Sequence, residues 1–557
     1  MPKDNVTRFI NEHFYETSYR NSFTDDGFKH LRTYLGNVKK GNPIIHDTPF
    51  AKKVSMKRLM KEWLKELVSI RDQWPTLWDF EIDLARKVGP MSVMLPLDQR
   101  MKDIAHYYED ILLPSRDILR SAIDAVLYEY RGLKGLRLRN QGLTVQNMKL
   151  STSSGSPFVA KRKVVRLDTT RCSSIGYAGR HPDVTSWLNE NTSQETHWDT
   201  VAIVGWRGQE GGPNPQDVKQ RVIWMFPFSV NINELQVYQP LIEGAQKLNL
   251  VPAWVSMESV DMEVTKLFDT KSSDDLVICT DFSRFDQHFN DTLQDSAKTI
   301  LAGLLTRNAS SVDWLKDVFP IKYLIPLCWE AFEDDYDKKI TCFEGYHGMA
   351  SGSGGTNADE TLAHRSLQYE AAMLHDRELN PHSQCLGDDG ILSYPGINVD
   401  DVVAAYQSHG QECNVDKQYA STQDCVYLRR WHHQEYRLDG VCVGVYSTCR
   451  ALGRMRYLER FMDPEYWDEK MVCLRYLSIL ENCKYHPLRE QFVKFCMKRD
   501  KYRLGLDIPG FLDNIDRYQR EAIDHMPDFL GYTKTLQGEE RKGMSNWWIV
   551  QYLKSIR

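Results

Sequence analysis

The residues with the clearest chemistry in this 557-residue chain are three aspartates, Asp281, Asp388 and Asp389. Two stand side by side in "CLGDDGILSY" (385–394), where Gly387 and Gly390 flank the acids and apolar residues lead in and out. Asp-Gly between two apolar runs is a strong hairpin signal, so the pair is expected at the tip of a tight turn. Adjacent carboxylates repel, and a half-buried pair needs a cation nearby. Alone, a Gly-Asp-Asp string is better read as a solvated surface turn, so the rest of the chain has to supply the missing ligands. The third acid follows a β-prone run from Leu276 to Thr280 in "DLVICTDFSRFDQHF", which puts Asp281 at the end of a buried strand. A strand end delivers a carboxylate at a fixed point, as metal chemistry requires, although the same residue could simply cap the next turn. Phe282, Phe285 and Phe289 recur at roughly helical spacing, and Asp286 either lines the same cleft or caps a helix. If strand and hairpin are neighbours in one sheet, the acids could hold two divalent cations roughly 3.5–4 Å apart, flanking a phosphoryl displacement. Oxygen-only ligands favour Mg²⁺, with Mn²⁺ as a substitute, over zinc.

Between the acids lies "GMASGSGGTNADETLAHRS", a glycine-rich loop running into a helix that begins with Asp359 and Glu360. Glycines let backbone approach a ligand closely, and a helix N-terminus offers free N–H groups to phosphate or ribose. No Gly-Lys-Ser/Thr follows, which disfavours a P-loop ATPase. Upstream, "LSTSSGSPFVAKRKVVRLD" and "VGWRGQEGGPNPQDVKQRVIWMFP" concentrate basic residues, and both read as strands joined by loops.

These pieces sit in an ordinary globular composition: 42% hydrophobic, 26% charged and 11% aromatic residues. The length suits one large multi-lobed enzyme. A net charge of −6 argues against a nucleic-acid coat over the whole surface, but not against a basic channel lining. The 12 cysteines contain no C-x-x-C pair, which disfavours structural zinc and fits a reducing intracellular setting. No apolar run approaches the ~18 residues of a membrane helix, and the opening "MPKDNVTRF" lacks a signal peptide's apolar stretch. The first 135 residues read as mainly helical. "SMKRLMKEWLKEL" puts Met56, Leu59, Met60, Trp63, Leu64 and Leu67 on one face after Ser55 as N-cap. Lys57, Arg58, Lys61 and Lys65 form the opposite, solvated face. From 231 to about 430 strands alternate with helices, and beyond 431 helices are interrupted by a hairpin near 432–450.

The order strand-Asp, glycine-rich loop and helix, then Gly-Asp-Asp hairpin resembles the palm of viral RNA-dependent RNA polymerases. Texture and length are most similar to those of picobirnaviruses, which have bisegmented double-stranded RNA genomes. The resemblance implies an α+β closed right hand with an antiparallel palm sheet flanked by helices. It divides the chain into a helical N-terminal region bridging fingers and thumb (1–135), fingers (136–230), palm (231–295), a fingers insertion (296–345), palm again (346–430), and thumb with C-terminal segment (431–557). It implies Asp281, Asp388 and Asp389 as metal ligands, and Arg207, Lys219 and Arg221 as NTP-phosphate contacts. Asp286, Ser351, Gly352, Thr356 and Asn357 fall near the incoming nucleotide. Lys417 in "NVDKQ" matches the general acid for the diphosphate, Ser154, Gly155 and Pro157 the template side, and Leu428 and Arg429 the primer grip. Many relatives carry Asn four residues after the loop Thr, where this chain has Glu360, so the reader of the ribose 2′-OH is left between Asn357, Asp286 and Thr356. Implied partners are RNA template and product, NTPs and a viral capsid protein, with no membrane, in the virion interior and host cytoplasm. A reverse transcriptase is the nearest enzymatic rival, but Gly387 and Asp286 both point toward RNA. A non-catalytic RNA-binding or capsid-associated protein would have no reason to gather three acids at strand ends. For unprimed initiation, the 432–449 segment offers His432, His433 and Tyr446 as a stacking platform, against the alternatives of an ordinary packed hairpin or the C-terminal "SNWWIVQYL" as a plug.

Overall fold

A computed structural model describes residues 14–18, 22–171, 174–177, 185–188, 197–526, 529–530 and 532–557. Its centre is a small antiparallel sheet in the order Gln384–Leu386, Asp389–Leu392, Val277–Thr280, Tyr419–Ser421. Val277–Thr280 is buried along its whole length, as its unbroken apolar run demands of an inner strand. Behind it packs the Thr356–Met373 helix. Both its apolar residues (Leu362, Ala363, Leu367) and its polar ones (Thr361, His364, Gln368) are buried, so it has no solvent face of consequence. The helices Asp291–Leu304 and Arg120–Glu129 pack against it in turn.

A second sheet runs Phe14–Ser18, Lys338–Phe343, Leu327–Glu333, Ala202–Gln209, Lys219–Met225; only its 202–209/327–333 pairing is parallel. The Asp25–Lys40 helix covers this sheet. Met56–Leu67 instead packs on the C-terminal helices: Trp63 donates to Thr448 Oγ1 at 2.8 Å and its ring lies 4.8 Å from Phe492. The first residues therefore tie the second sheet to the C-terminal helices. Ser55 caps that helix through the Arg58 N–H at 3.2 Å, and Lys57, Arg58, Lys61 and Lys65 are exposed, as expected. Among the described residues no helix is long and apolar enough to cross a membrane.

Three expectations need correction. The "LSTSSGSPFVAKRKVVRLD" stretch is a tight loop followed by a helix, Arg162–Arg171, not strands. Val164 and Val165 suggest a strand, but Val165 and Thr169 are buried one turn apart and Lys and Arg are good helix formers. The phenylalanines after Asp281 sit in a short strand and a turn rather than a helix, and stack into the core through Phe282–Phe285 at 4.9 Å. The expected boundaries at 230, 295 and 430 fall inside the elements Phe228–Lys247, Asp291–Leu304 and Arg430–His433. Strands 327–333 and 338–343 join the sheet formed by 202–225.

Candidate active site

The Gly-Asp-Asp element is a hairpin, but its turn is Gly387-Asp388 rather than Asp-Gly. Leu386 pairs with Asp389, so Asp389 already belongs to the strand. Gly387 has φ 58°, at the first turn position, where a two-residue hairpin of this hand needs glycine. Gly390 lies opposite Thr280, so Asp389 and Asp281 extend the same pair of strands at the same end. The buried helix grips the turn from below: Gly387 N–H donates to Thr361 Oγ1 at 2.9 Å, and His364 donates to the Gly387 carbonyl at 2.8 Å. Burial lowers His364 to about 4, which keeps it neutral for that contact.

The other acids are held as firmly. Gln418 accepts from the Asp281 N–H at 2.7 Å and donates to the Asp281 carbonyl at 2.9 Å. Asp389 Oδ2 accepts from the Leu428 N–H at 2.8 Å. Leu428 and Arg429 form a two-residue hairpin turn with φ 52° and 60°. Left-handed conformations of such residues cost about 1–2 kcal/mol each. The strain keeps an amide on Asp389 and turns Arg429 into the central cavity.

That cavity, about 1800 Å³, is lined by Asp281, Asp388 and Asp389 and, facing them, by Lys219, Arg221, Arg429 and Lys417. Burial raises the Asp388 carboxyl, the charge of Asp286 adds to this, and Arg221 opposes it. Burial, then the charge of Asp388, pushes Asp389 up to about 7. The acids thus crowd negative charge that a cation would relieve. Among the described residues no three His, Cys, Asp or Glu side chains close into a complete metal site. An incomplete oxygen-only set fits Mg²⁺, which keeps waters and substrate phosphates in its shell. Lys219, Arg221, Arg429 and Lys417 make no ion pair among the described residues; burial and then the neighbouring charge of Arg221 lower Lys219. Arg207, directly across the strand pair from Arg221, is instead tied to Glu459 at 3.0 Å.

The glycine-rich loop is placed beside this cavity rather than along its wall. Ser351 donates to Asp286, while its carbonyl accepts from Trp224 N–H at 2.8 Å. Gly352 has φ 135°, and a Cβ there would overlap the Trp224 carbonyl oxygen. The loop N–H groups before the helix are taken, Gly354 by the buried Glu234 at 3.0 Å and Gly355 by Ser353 Oγ at 3.0 Å, while the first turn of the helix itself has no side-chain cap. The side chains of Asn357 and Thr356 are engaged: Trp254 donates to Asn357 Oδ1 at 2.7 Å, and the Thr356 hydroxyl faces the Ala350 and Ser353 carbonyls. Asp359 is caged by Lys322 at 3.0 Å and by the hydroxyls of Tyr238 and Tyr323, both at 2.7 Å.

Ser154, Gly155 and Pro157 are buried and shape a loop against Phe226 and the Asp25–Lys40 helix; Ser154 Oγ accepts from Ala160 N–H at 3.1 Å. Their side chains do not reach the cavity, whereas the adjacent Ser151 and Lys161 line it. The stacking platform is also revised. His432 is fully buried and bonded to the Cys442 carbonyl at 3.0 Å, and His433 packs on Trp74 at 5.3 Å. Of the three residues only Tyr446 lines the cavity, as do Trp547 and Trp548 of the C-terminal segment. Sequence reasoning missed Gln418, Thr361, His364, Tyr107 and Glu459. The available signal was a row of polar residues, Thr361, His364 and Gln368, at helical spacing inside an otherwise apolar helix.

Carboxylates at the shared end of adjacent strands, facing unpaired cations across a large cavity, define a nucleotidyl-transfer enzyme on an α+β polymerase fold. The chain belongs to the viral RNA-dependent RNA polymerases, whose family model matches residues 47–491. It is 58% identical over 533 residues, 95% of this chain and 97% of the relative, to a potential RNA-dependent RNA polymerase of human picobirnavirus (strain Human/Thailand/Hy005102/-). Among solved structures it is similar to the RNA-dependent RNA polymerase of a human picobirnavirus (56% identity, TM-score 0.89) and to an insertion-loop deletion mutant of it (54%, 0.87). Each match covers 97% of this chain and 99% of the other. The chain is an RNA-directed RNA polymerase, with RNA and NTPs as substrates, of a family that works with divalent metal ions.

Proposed function

We propose that this polymerase replicates and transcribes a viral RNA genome by two-metal nucleotidyl transfer in a closed right hand. In this reading the sheet carrying Asp281, Asp388 and Asp389 is the palm and the sheet carrying Arg207, Lys219 and Arg221 belongs to the fingers. The helices after Ser447 form the thumb, and the residues before about 120 bridge fingers to thumb. The observation that carries it is the convergence of three carboxylates on one strand end opposite unpaired Lys219, Arg221, Arg429 and Lys417.

Asp281 and Asp388 would hold Mg²⁺, or Mn²⁺ in its place, with Asp389 supporting one ion or tuning the site. Two such ions, when bound, activate the 3′-hydroxyl and neutralise charge on the reacting phosphates. Arg221 and Lys219 bind the triphosphate; Arg suits a bidentate grip. Arg207 joins them once a phosphate competes it away from Glu459. Lys417, exposed at the cavity wall, donates a proton to the departing diphosphate. Leu428 and Arg429 seat the primer strand, and Ser151 and Lys161 meet the template beside the buried Ser154–Pro157 turn. Asp286, oriented by Ser351, faces the incoming ribose, with Gly352, Thr356 and Asn357 shaping the loop that holds it. The capsid interior and the host cytoplasm are the setting this activity calls for, with the capsid protein as partner.

The test is labelled-RNA synthesis on a template with NTPs and Mg²⁺ or Mn²⁺. Asp388→Asn and Asp281→Asn should each abolish incorporation while the melting temperature stays near that of the parent, because neither side chain is core. Near-normal synthesis by either variant would remove that residue from the site.

A further inference from the structure

A chain of charged side chains of alternating sign joins the end of the strand Ala202–Gln209 to the helix Thr448–Arg456 and the loop after it. Arg207 meets Glu459 at 3.0 Å, and Glu459 meets Arg454 at 3.1 Å. Glu210 then stands between Arg454 at 3.8 Å and Arg450 at 2.6 Å. The two ends differ in burial. Glu210 and Arg450 keep side-chain exposures of only 9% and 7%. Burial would raise Glu210, but the charges of Arg454 and Arg450 hold it down to about 2, so that end stays ionised and closed. Arg207, at the other end, is 47% exposed and lines the cavity that holds Asp281 and Asp388. A pair so exposed is weak, because water and salt compete for both partners. Glu459 keeps a second cation when Arg207 leaves: Arg454 Nη1 donates to it at 3.1 Å, and the buried Arg454 Nε has no acceptor and is a donor in reserve. Breaking the Arg207 link therefore strands no buried charge, which is the usual cost of opening an ion pair. Directly across the strand pair from Arg207 stands Arg221, whose charge acts on Asp388.

We propose that Glu459 is a positioning residue for phosphate binding: it parks Arg207 in the empty enzyme, releases it to the triphosphate that Arg221 and Lys219 bind, and takes it back as the diphosphate leaves. The inference rests on the reading of Arg207 as a triphosphate ligand. Arg207 is then free only for the fraction of time that Glu459 lets go, and the apparent affinity of every ligand that needs it falls by that fraction. The same competition shortens the stay of the diphosphate, which has lost its bond to the nucleotide and is held by metal and cations alone. By reciprocity, a bound triphosphate loosens the outer link between the strand and the Thr448–Arg456 segment, while the buried Glu210–Arg450 link keeps the two elements together.

The experiment is steady-state incorporation on a primed template at fixed Mg²⁺ and salt. The KM for an NTP, inhibition by inorganic pyrophosphate and the melting temperature are measured together. Glu459→Gln removes the charge and should lower the NTP KM and the pyrophosphate Ki by the same factor, about two- to fivefold for so exposed a pair, with kcat within about twofold of the parent. Tighter binding is a readout that mere loss of structure does not produce. Glu459→Asp keeps the charge at shorter reach and should lower both constants by less, which covers the case of a Gln variant that does not fold. Arg207→Ala should raise KM, and adding Glu459→Gln to it should change neither constant further. An unchanged or raised KM in the folded Gln and Asp variants would overturn the proposal, as would a pyrophosphate Ki that stays at the parent value. A fall in KM that persists in the Arg207→Ala background would overturn it too, because Glu459 would then be one negative charge among others in the cavity. Arg207→Ala separates the two layers. If it raises KM while Glu459→Gln and Glu459→Asp leave KM unchanged, only the role of Glu459 fails; if it leaves KM at the parent value, the reading of Arg207 itself falls.

Discussion

Gln418 offers the sharpest test of how the first acid is held. The residue sits just before the Tyr419–Ser421 strand, whose Tyr419 pairs with Cys279. Its side-chain amide continues the ladder by one rung, accepting from Asp281 N–H at 2.7 Å and donating to Asp281 C=O at 2.9 Å, with a further bond to the Asn414 carbonyl at 2.9 Å. Gln418→Ala removes all of these. Asp281 is exposed, so water replaces the lost partners, and each bond counts for only about 0.5–1 kcal/mol. A total of about 1.5–3 kcal/mol spread over a chain of this size should lower the melting temperature by only a few degrees. The effect on chemistry should be larger in proportion. A misplacement on the order of 1 Å costs up to ~100-fold in rate, so single-nucleotide incorporation by rapid quench should show kcat down about 10–100-fold, or about 1.4–2.7 kcal/mol of barrier. The NTP KM should scarcely change. Gln418→Glu keeps the acceptor for the Asp281 N–H, loses the donor and adds a negative charge, so it should fall no less far. A kcat within twofold of the parent would show that the strand alone positions Asp281. A large loss of melting temperature with unchanged kcat in the folded fraction would make Gln418 structural.

Two further predictions follow from the same site. Gly352→Ala should destabilise the fold by about 3 kcal/mol or more, because φ 135° is poorly open to alanine and the new Cβ overlaps the Trp224 carbonyl; an unchanged urea midpoint would contradict this. Burial, then the charge of Asp388, raises Asp389 to about 7, so without a cation its contribution to stability is complete below its ordinary range near 4 and is lost as pH rises through 7. Millimolar Mg²⁺ should therefore raise the melting temperature more at pH 8 than at pH 6, where protons compete for the same oxygens, and an equal rise at both would refute the assignment.

What could be read from the sequence was what lies in residue type and short spacing. Asp281 after a buried run, and paired aspartates between apolar flanks, announce themselves because strand ends and hairpins are local. The partners that hold them are not local: Gln418 is 137 residues from Asp281. The Leu428-Arg429 turn carries no glycine or asparagine, so its left-handed backbone leaves no trace in composition and exists because the surrounding structure enforces it. Ser154, Gly155 and Pro157 show the reverse failure. Their types suit a ligand-facing loop, but close approach of the Phe226 backbone and the Asp25–Lys40 helix turns them inward. The boundaries that the resemblance places at 230, 295 and 430 fall inside two helices and a strand, because burial decides where an element ends.

The buried helix Thr356–Met373 connects these observations physically. Through Thr361 and His364 it fixes the turn that carries Asp388. Through Gln368, which donates to Gln384 and Ile391 carbonyls at 2.9 and 3.2 Å, it pins both strands of the hairpin. Arg365 anchors the same helix to Glu129 at 2.7 Å. A rigid element with contacts every three to four residues cannot shift at one end without moving the other. The turn that carries Asp388, both strands of its hairpin and the Arg120–Glu129 helix are therefore held by one body, so a substitution at Thr361, His364 or Gln368 should disturb Asp388 and Asp389 together rather than one alone.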